Sequence, residues 1–349
     1  MDTQTLETQT GSARNRCRMK PVAVIILNWN GAELLRQFLP SVVAGTSPRL
    51  ADIIVADNGS DDDSVEWVRQ HYPEVTLLPF PENYGFAQGY NLSIEQAKAY
   101  EYVVLLNSDV ETPDGWLEPL VAYADRHPEV AVCQPKLLSY RDKNRFEYAG
   151  AAGGFLDRYG YPFCRGRIFG TIEADNGQYD TPCDIFWASG AALFIRTRVY
   201  TEVGGLDPYF FAHMEEIDLC WRVHLAGYRI VCLPESRVYH LGGATLATSD
   251  PRKTYLNFRN NLLMLHKNLP PEEGRRLLFV RRLYDTLAWL KFMLTAHFAD
   301  ANALLKAHND FRKSRKRYTA HPRENLLTTF DEARRNITVD YFLRRKKKF

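Results

Sequence analysis

The stretch Tyr102-Val103-Val104-Leu105-Leu106-Asn107-Ser108-Asp109-Val110 constrains the fold more than any other part of the chain. Its apolar run from Tyr102 to Leu106 stops abruptly at Asn-Ser-Asp. An unbroken apolar run bounded by turn residues reads as a strand buried on both faces, the habit of parallel sheets covered by helices. In open α/β sheets ligands bind just beyond the carboxyl ends of the strands. Asp109 therefore falls where a metal or a phosphate would be handled. A plain polar turn uses the same residue types, so the rest of the chain has to decide.

Three further runs behave alike. Val22–Leu27 ends at Asn28-Trp29-Asn30-Gly31, Ile53–Ala56 ends at Asp57-Asn58-Gly59-Ser60, and Val75–Leu78 makes a third strand. Between them apolar residues recur at helical spacing: Leu34, Leu35, Phe38, Leu39 and Val42, then Val65, Trp67 and Val68. The segment Asn83–Asn91 reads as a loop, followed by a helix to about Tyr100. This alternation predicts an α/β fold with a mostly parallel, twisted sheet flanked by helices. Parallel strands would carry the loops of Asn28, Asp57 and Asp109 to one edge. The Gly-rich dinucleotide fingerprint and the Walker loop are both missing, so a nucleotide would be met by side chains. Asp57 can accept from a base N–H or a ribose hydroxyl; capping of the next helix is its alternative role.

The second half reads less regularly. Trp116–Tyr123 is helical and Val130–Cys133 is a strand. Residues 139–184, rich in Gly, Tyr, Arg and Asp, read as hairpins and loops walling a cleft. Small residues at 188–192 allow close approach of backbone or ligand. Glu215, Glu216 and Asp218 then put three carboxylates in four positions. At helical spacing Glu215 and Asp218 share a face, as do Asp218 and Arg222. An acidic first turn is favoured by the helix dipole; a general base near a metal-bound leaving group is the functional alternative. Tyr228–Leu233 is a strand, and His240 precedes a Gly-Gly turn where its imidazole can reach a metal. Asp109 and His240 are oxygen and nitrogen donors of the kind that Mn2+ or Mg2+ accept.

Composition bounds the class. Hydrophobic residues at 45% and charged residues at 25% are ordinary for a globular protein. From Leu304 to Phe349 there are 14 Lys or Arg against 5 Asp or Glu, a local charge of +9 in a chain of net +2. An acidic body with a basic tail predicts an anionic partner for the tail. The six cysteines form no Cys-x-x-Cys pair, which argues against zinc and for reduced thiols. Residues 1–20 are polar, read as a disordered N-terminal extension, and lack a signal-peptide core. The apolar stretch 287–298 is too short and too charged to span a bilayer. For the helix expected over 281–298, packing on the body is the first reading and lying on a membrane interface the second. The basic runs 312–317 and 344–348 suit anionic headgroups or simple solvation.

Taken in order, Asp57-Asn58-Gly59-Ser60, Asn83-x-Gly85-Phe86-x-x-Gly89-x-Asn91, Asn107-Ser108-Asp109, Ser189-Gly190-Ala191, Gly204-Gly205-Leu206-Asp207, Glu215-Glu216-Ile217-Asp218-Leu219 and His240 resemble the family-2 glycosyltransferases, in particular a rhamnosyltransferase-like bacterial branch. The resemblance spans about residues 21–268. It implies a GT-A nucleotide-diphospho-sugar transferase fold, with a nucleotide-sugar half at 21–135, an acceptor and catalytic half at 136–268, and a helical basic extension at 269–349. It further implies that Asp57 accepts from a uracil or thymine N–H. Leu27 and Asn28 would frame the base, and Asn83, Gly85, Asn91 and Asn107 would line the donor site. Arg259 would stand beside the phosphates, although a surface arginine is its plain alternative. Asp109 and His240 would hold Mn2+ or Mg2+. The family's base aligns with Glu216, one methylene longer than the usual Asp; Glu215 and Asp218 are the alternatives.

The expected activity is inverting transfer of a sugar, with rhamnose a candidate, from a UDP- or dTDP-sugar to a glycan or lipid-linked acceptor hydroxyl in surface polysaccharide or lipopolysaccharide assembly. The expected place is the cytoplasm, with peripheral contact at an anionic membrane surface, and no nucleic acid is expected as partner. Two other classes remain. A sugar-nucleotide pyrophosphorylase would show a Gly-rich loop with Arg and Lys after the first strand, where this chain has Asn-Trp-Asn-Gly. A non-enzymatic binder of anionic polymers would leave the acidic cluster without a role.

Overall fold

In the computed structural model, which describes residues 20–242 and 250–349, the four predicted strands form one side of a nine-stranded sheet. The chain runs β1 (Val22–Asn28), α1 (Ala32–Gly45), β2 (Ala51–Asp57), α2 (Ser64–His71), β3 (Thr76–Pro79), α3 (Gly85–Gln96) and β4 (Tyr102–Asn107). These strands pair in parallel in the order β3-β2-β1-β4. Alternate residues enter different cores: Ala23, Ile25, Val103 and Leu105 one, Val22, Val24, Ile26, Tyr102, Val104 and Leu106 the other. Both faces are covered, which is why these strands read as unbroken apolar runs. The expected extension at 1–20 falls almost wholly on residues 1–19, outside the described part.

Past β4 the chain makes β5 (Val110–Glu111), α4 (Glu118–Arg126) and β6 (Val130–Ser139). A four-stranded antiparallel sheet follows, from β7 (Gly154–Leu156), β8 (Pro162–Cys164), β9 (Arg167–Ile168) and β10 (Thr171–Ile172). It accounts for the hairpins expected over 139–184. Then come β11 (Cys183–Asp184), β12 (Ala192–Arg196), α5 (Thr197–Glu202), α6 (Glu215–Leu225) and β13 (Arg229–His240). Strand β12 runs antiparallel between β4 and β6, and β13 lies parallel to β6.

Three expectations change here. The strand predicted at 130–133 continues to Ser139, and the pieces 228–233 and 237–240 are one strand with an irregularity between Leu233 and Arg237. Gly85–Asn91 is not a loop before a helix but the first turns of α3. The helix starts early because side chains hold its entry: Asn58 Oδ1 accepts from Tyr84 N at 3.0 Å and Asn83 Oδ1 from Gly85 N at 2.8 Å. Such local capping satisfies otherwise orphaned amides.

The C-terminal part is helical: α7 (Pro251–Asn268), α8 (Pro271–Leu294), α9 (Phe298–Ser314) and the short α10 (Ile337–Phe342). It is tied to the body by the Tyr318 hydroxyl donating to Asp207 at 2.9 Å and by Ile337 N donating to Asp157 at 3.1 Å.

Candidate active site

Asp109 and His240, 131 residues apart in sequence, meet because β5 pairs antiparallel with the end of β13, setting His240 opposite Val110. Both are buried, with His240 Nε2 3.1 Å from Asp109 Oδ1. Gly242 N donates to Asp109 Oδ2 at 3.2 Å. On the other side of the ring, Nδ1 lies 3.4 Å from Glu147 Oε2. Burial opposes a charge on His240, but the hydrogen bond with Asp109 and the nearby Glu147 carboxylate outweigh it and push its pKa up to about 10. Asn107 Nδ2 stands 3.5 Å from the same Nε2.

This donor set suits a hard divalent cation. Asp109 Oδ1 and His240 Nε2, 3.1 Å apart, would be the two atoms to hold it. Among the described residues no cluster of three His, Cys, Asp or Glu is arranged to ligate a metal. The pair can therefore supply two ligands at most, in the manner of Mg2+ sites that also draw on substrate phosphates and water.

The acidic cluster sits on a strained entry to α6. Phe211, His213 and Met214 all have positive φ, at 65°, 69° and 74°. Non-glycine residues in that region cost about 1–3 kcal/mol each and persist only where the surroundings impose them. Asn260 on α7 does so: its Nδ2 donates to the carbonyls of Phe210, Ala212 and His213 at 2.9, 2.9 and 2.7 Å. The side chains that follow are short of partners. Oε2 of Glu215 and Oε2 of Glu216 have no hydrogen-bond partner among the described residues. Burial lifts the Glu216 pKa to about 7. Burial, then the neighbouring Glu216 charge, raises that of Glu215 well above the carboxylate range.

The two halves of the site meet at Ser189-Gly190-Ala191. Ala191 O accepts from Asn107 N at 3.0 Å, and a Cβ added to Gly190 would stand 3.8 Å from that of Glu216. The tight neighbour of Gly190 is Phe86, whose Cζ would stand 3.2 Å from an added Cβ. The Cβ of Glu216 and, through Asn107 N, the end of β4 thus both lie against this short segment.

Other sequence candidates have different surroundings. Asp218 is fully buried, bonded to Arg222, to Lys267 at 2.9 Å and to Asn268 at 2.7 Å. Burial opposes its charge, but Arg222 and Lys267 overcome that and hold its pKa below the usual range. A carboxylate so paired is a structural hub, and the expectation that it shares a working face with Glu215 does not hold. Arg259 is buried as well, contrary to a place beside open phosphates. Its guanidinium donates to Asn260 Oδ1, Tyr255 Oη and the carbonyls of Tyr209 and Phe210. It braces the same loop as Asn260. Asn91 is likewise consumed: it accepts from Tyr200 Oη and Leu206 N and donates to Leu206 O, fixing the 204–207 turn. Asn83 caps α3, and Gly85 (φ 78°) is a glycine because a Cβ would meet the Phe211 ring at 2.7 Å.

At the base end, Asn28 Nδ2 donates to Asp57 Oδ1 at 3.0 Å, and Ser60 donates to the same carboxylate through N and Oγ. A carboxylate offers about four acceptor positions, so Asp57 keeps capacity for one more donor. Asn28 Oδ1 has no partner among the described residues. Leu27 is half-buried beside Gly89, where a Cβ would stand 2.9 Å from its methyls. Sequence reasoning missed Glu147: it lies in the irregular 139–184 region with no ligand-like spacing. Asn58, which bonds Asn83 and Gly85 O, was visible only as part of a turn.

Residues 23–191 match the family model described as Glycosyl transferase family 2. Over 234 residues the chain is 28% identical to N-acetylglucosaminyl-diphospho-decaprenol L-rhamnosyltransferase of Mycobacterium tuberculosis, covering 62% of this chain and 75% of that protein. Among solved structures, TarS 1–349 of S. aureus superposes with a TM-score of 0.55 at 18% identity, covering 84% of this chain and 80% of that one. GalNAc-T7, solved with UDP, GalNAc and Mn2+, gives a TM-score of 0.55 at 17% identity over 72% of this chain and 48% of its own. At these identities the structural matches speak for the fold.

Proposed function

We propose that this chain, which belongs to glycosyl transferase family 2 and has the GT-A fold, transfers a sugar with inversion from a UDP- or dTDP-sugar to an acceptor hydroxyl. The setting is surface polysaccharide or lipopolysaccharide assembly, with rhamnose the first sugar to try. The observation that carries this reading is the Glu216 carboxyl. Its Oε2 has no hydrogen-bond partner among the described residues, its pKa is lifted to about 7, and its Cβ lies beside Gly190, next to the Ala191 carbonyl that accepts from Asn107 N at the end of β4.

In this reading the 21–135 half holds the donor. Asp57 uses its remaining acceptor position for a base N–H, with Asn28 and Leu27 framing the ring. Mn2+ or Mg2+ held by Asp109 and His240 would supply Lewis-acid neutralisation of the departing diphosphate. Glu216 takes the acceptor hydroxyl proton as that oxygen bonds to the anomeric carbon. The bond from that carbon to the diphosphate oxygen breaks, and its electrons leave with the nucleoside diphosphate. Attack from the side opposite the leaving group inverts the centre. A carboxylate with its pKa near neutrality is well matched to accepting such a proton. Glu215 next to it disfavours a second charge, and Asp218 stays ionised in its own network. Residues 136–268 shape the acceptor side, and 269–349 form the basic extension.

The M. tuberculosis relative is named for a decaprenol-linked acceptor, so a lipid-linked acceptor is the class to test. TarS has been solved with UDP-GlcNAc and GalNAc-T7 with UDP and Mn2+, which supports beginning with uridine donors and that ion. The test is a screen of UDP- and dTDP-sugars, with and without Mn2+, following nucleotide release. Release with at least one donor, dependent on the cation, is expected. Folded protein that releases nucleotide from none of them overturns the reading.

A further inference from the structure

Helix α8 has two apolar faces, and only one is used. Inward, Leu277 and Leu278 pack on the main core, Arg281 donates to Tyr159 O and to Asn261, and buried Asp285 receives a hydrogen bond from His308 at 2.9 Å. Beyond Asp285 every residue of the helix is half-buried or exposed. Outward stand Phe279, Leu283, Leu287, Leu290 and Leu294, all exposed, with Phe279 at 66%, Leu287 at 63% and Leu294 at 87%. At about 100° per residue these five fall within an arc of about 80°. Met293 in the last turn of α8 and Phe298 at the start of α9 are exposed as well.

Exposed cations border this stripe, Arg275 and Arg282 on one side and Lys291 on the other, while exposed Arg276 stands at its N-terminal end beside the first-turn carboxylates Glu272 and Glu273. Arg312, Lys313, Arg315, Lys316 and Arg317 follow, also exposed, at the end of α9 and just beyond it. An apolar stripe rimmed by Lys and Arg is the signature of a helix lying in a membrane interface. A second copy docked through the same face would set these cations against one another, whereas acidic headgroups attract each of them. Among the described residues no helix is long and apolar enough to cross a membrane, so the fit is to a surface.

We propose that the outward face of α8 seats on an anionic phospholipid bilayer, with Leu283, Leu287, Leu290 and Leu294 entering the headgroup boundary and the flanking arginines meeting phosphates. This rests on the reading of a lipid-linked acceptor, which it would bring within reach, and takes up the second of the two readings given for this helix, that of lying on a membrane interface.

The experiment is vesicle flotation of the full chain without donor or acceptor, so that it can fail separately from the transferase reading. Vesicles of phosphatidylcholine alone are compared with equimolar phosphatidylcholine and phosphatidylglycerol. The wild type is expected to float with the anionic vesicles, less so as salt rises. The triple variant Leu287→Ser, Leu290→Ser, Leu294→Ser should partition at least about tenfold less with an unchanged melting temperature. If the triple variant melts early, the single Leu294→Ser variant, at the most exposed position, should still show a smaller drop. A wild type that stays with neither vesicle overturns the proposal, as does a folded triple variant that floats like wild type. So does a wild-type dimer that the triple variant converts to monomer, which would assign the face to a second copy.

Discussion

Glu147 Oε2 stands 3.4 Å from Nδ1 of His240, while the opposite ring nitrogen faces Asp109. A ligating histidine usually gives its second N–H to a carboxylate, which fixes the tautomer and raises the basicity of the ligating nitrogen. Glu147→Gln is expected to weaken Mn2+ binding about 10–100-fold, read by the loss of the free-ion EPR signal in the presence of UDP. Unchanged affinity would remove Glu147 from the site.

Glu216 acts as a base only when ionised. Since burial raises its pKa to about 7, turnover should increase as pH passes upward through about 7 and level off above. Glu216→Gln should lower turnover by roughly 100- to 10,000-fold while donor binding, measured by calorimetry, changes little. An active Glu216→Gln enzyme would point to Glu215 instead.

Glu215 gives a stability prediction with a definite sign. Its pKa is raised in the folded state, so the stability it contributes is complete below the unfolded value near 4.3 and is lost as pH rises through the folded value. As pH rises above the unfolded value this contribution declines, and at pH 8 Glu215→Gln should melt at a higher temperature than wild type. The gap should shrink as pH falls toward 5. A variant less stable at pH 8 would contradict this.

Asp218→Asn has the opposite sign. The native carboxylate faces Arg222 and Lys267 in a buried network, and removing one partner of such a network costs about 3–5 kcal/mol. Its pKa is depressed, so this stability is present above the unfolded value near 3.9 and fades as pH falls below it. Urea unfolding at pH 7 should show the loss. Normal stability with no turnover would instead make Asp218 part of the chemistry.

Asn260→Ala leaves three loop carbonyls without their donor. A loss of about 1–3 kcal/mol is expected. Because a displacement of about 1 Å can cost 100-fold, kcat should fall more than donor affinity. Full activity would show that the 211–214 geometry is held by other contacts.

The parallel strands, the α/β class and the polar strand ends were legible because all three rest on local pattern. Tyr102–Leu106 is apolar throughout since its alternate residues enter separate cores, and Asp109 follows at the carboxyl end of that strand. The bracing contacts of Arg259 and Asn91 were not legible for one reason: a polar residue in a motif looks the same whether it faces a ligand or braces a carbonyl. Glu147 was invisible because its partner lies 93 residues away and no spacing announces it.

The sequence by itself determined the strand–helix alternation, the loop residues at the strand ends and the acidic turn, since each depends on neighbours within a few positions. Only the tertiary structure decided which carboxylates remain unpartnered. β5 pairing with β13 placed His240 on Asp109, α7 drew Asp218 into a buried ion network, and the Glu216 side chain was left with an oxygen that no described residue bonds. The physical reason is that pairing and desolvation are set by what packs against a group. Two adjacent glutamates and an aspartate of one helical turn thereby acquired opposite pKa shifts and different work.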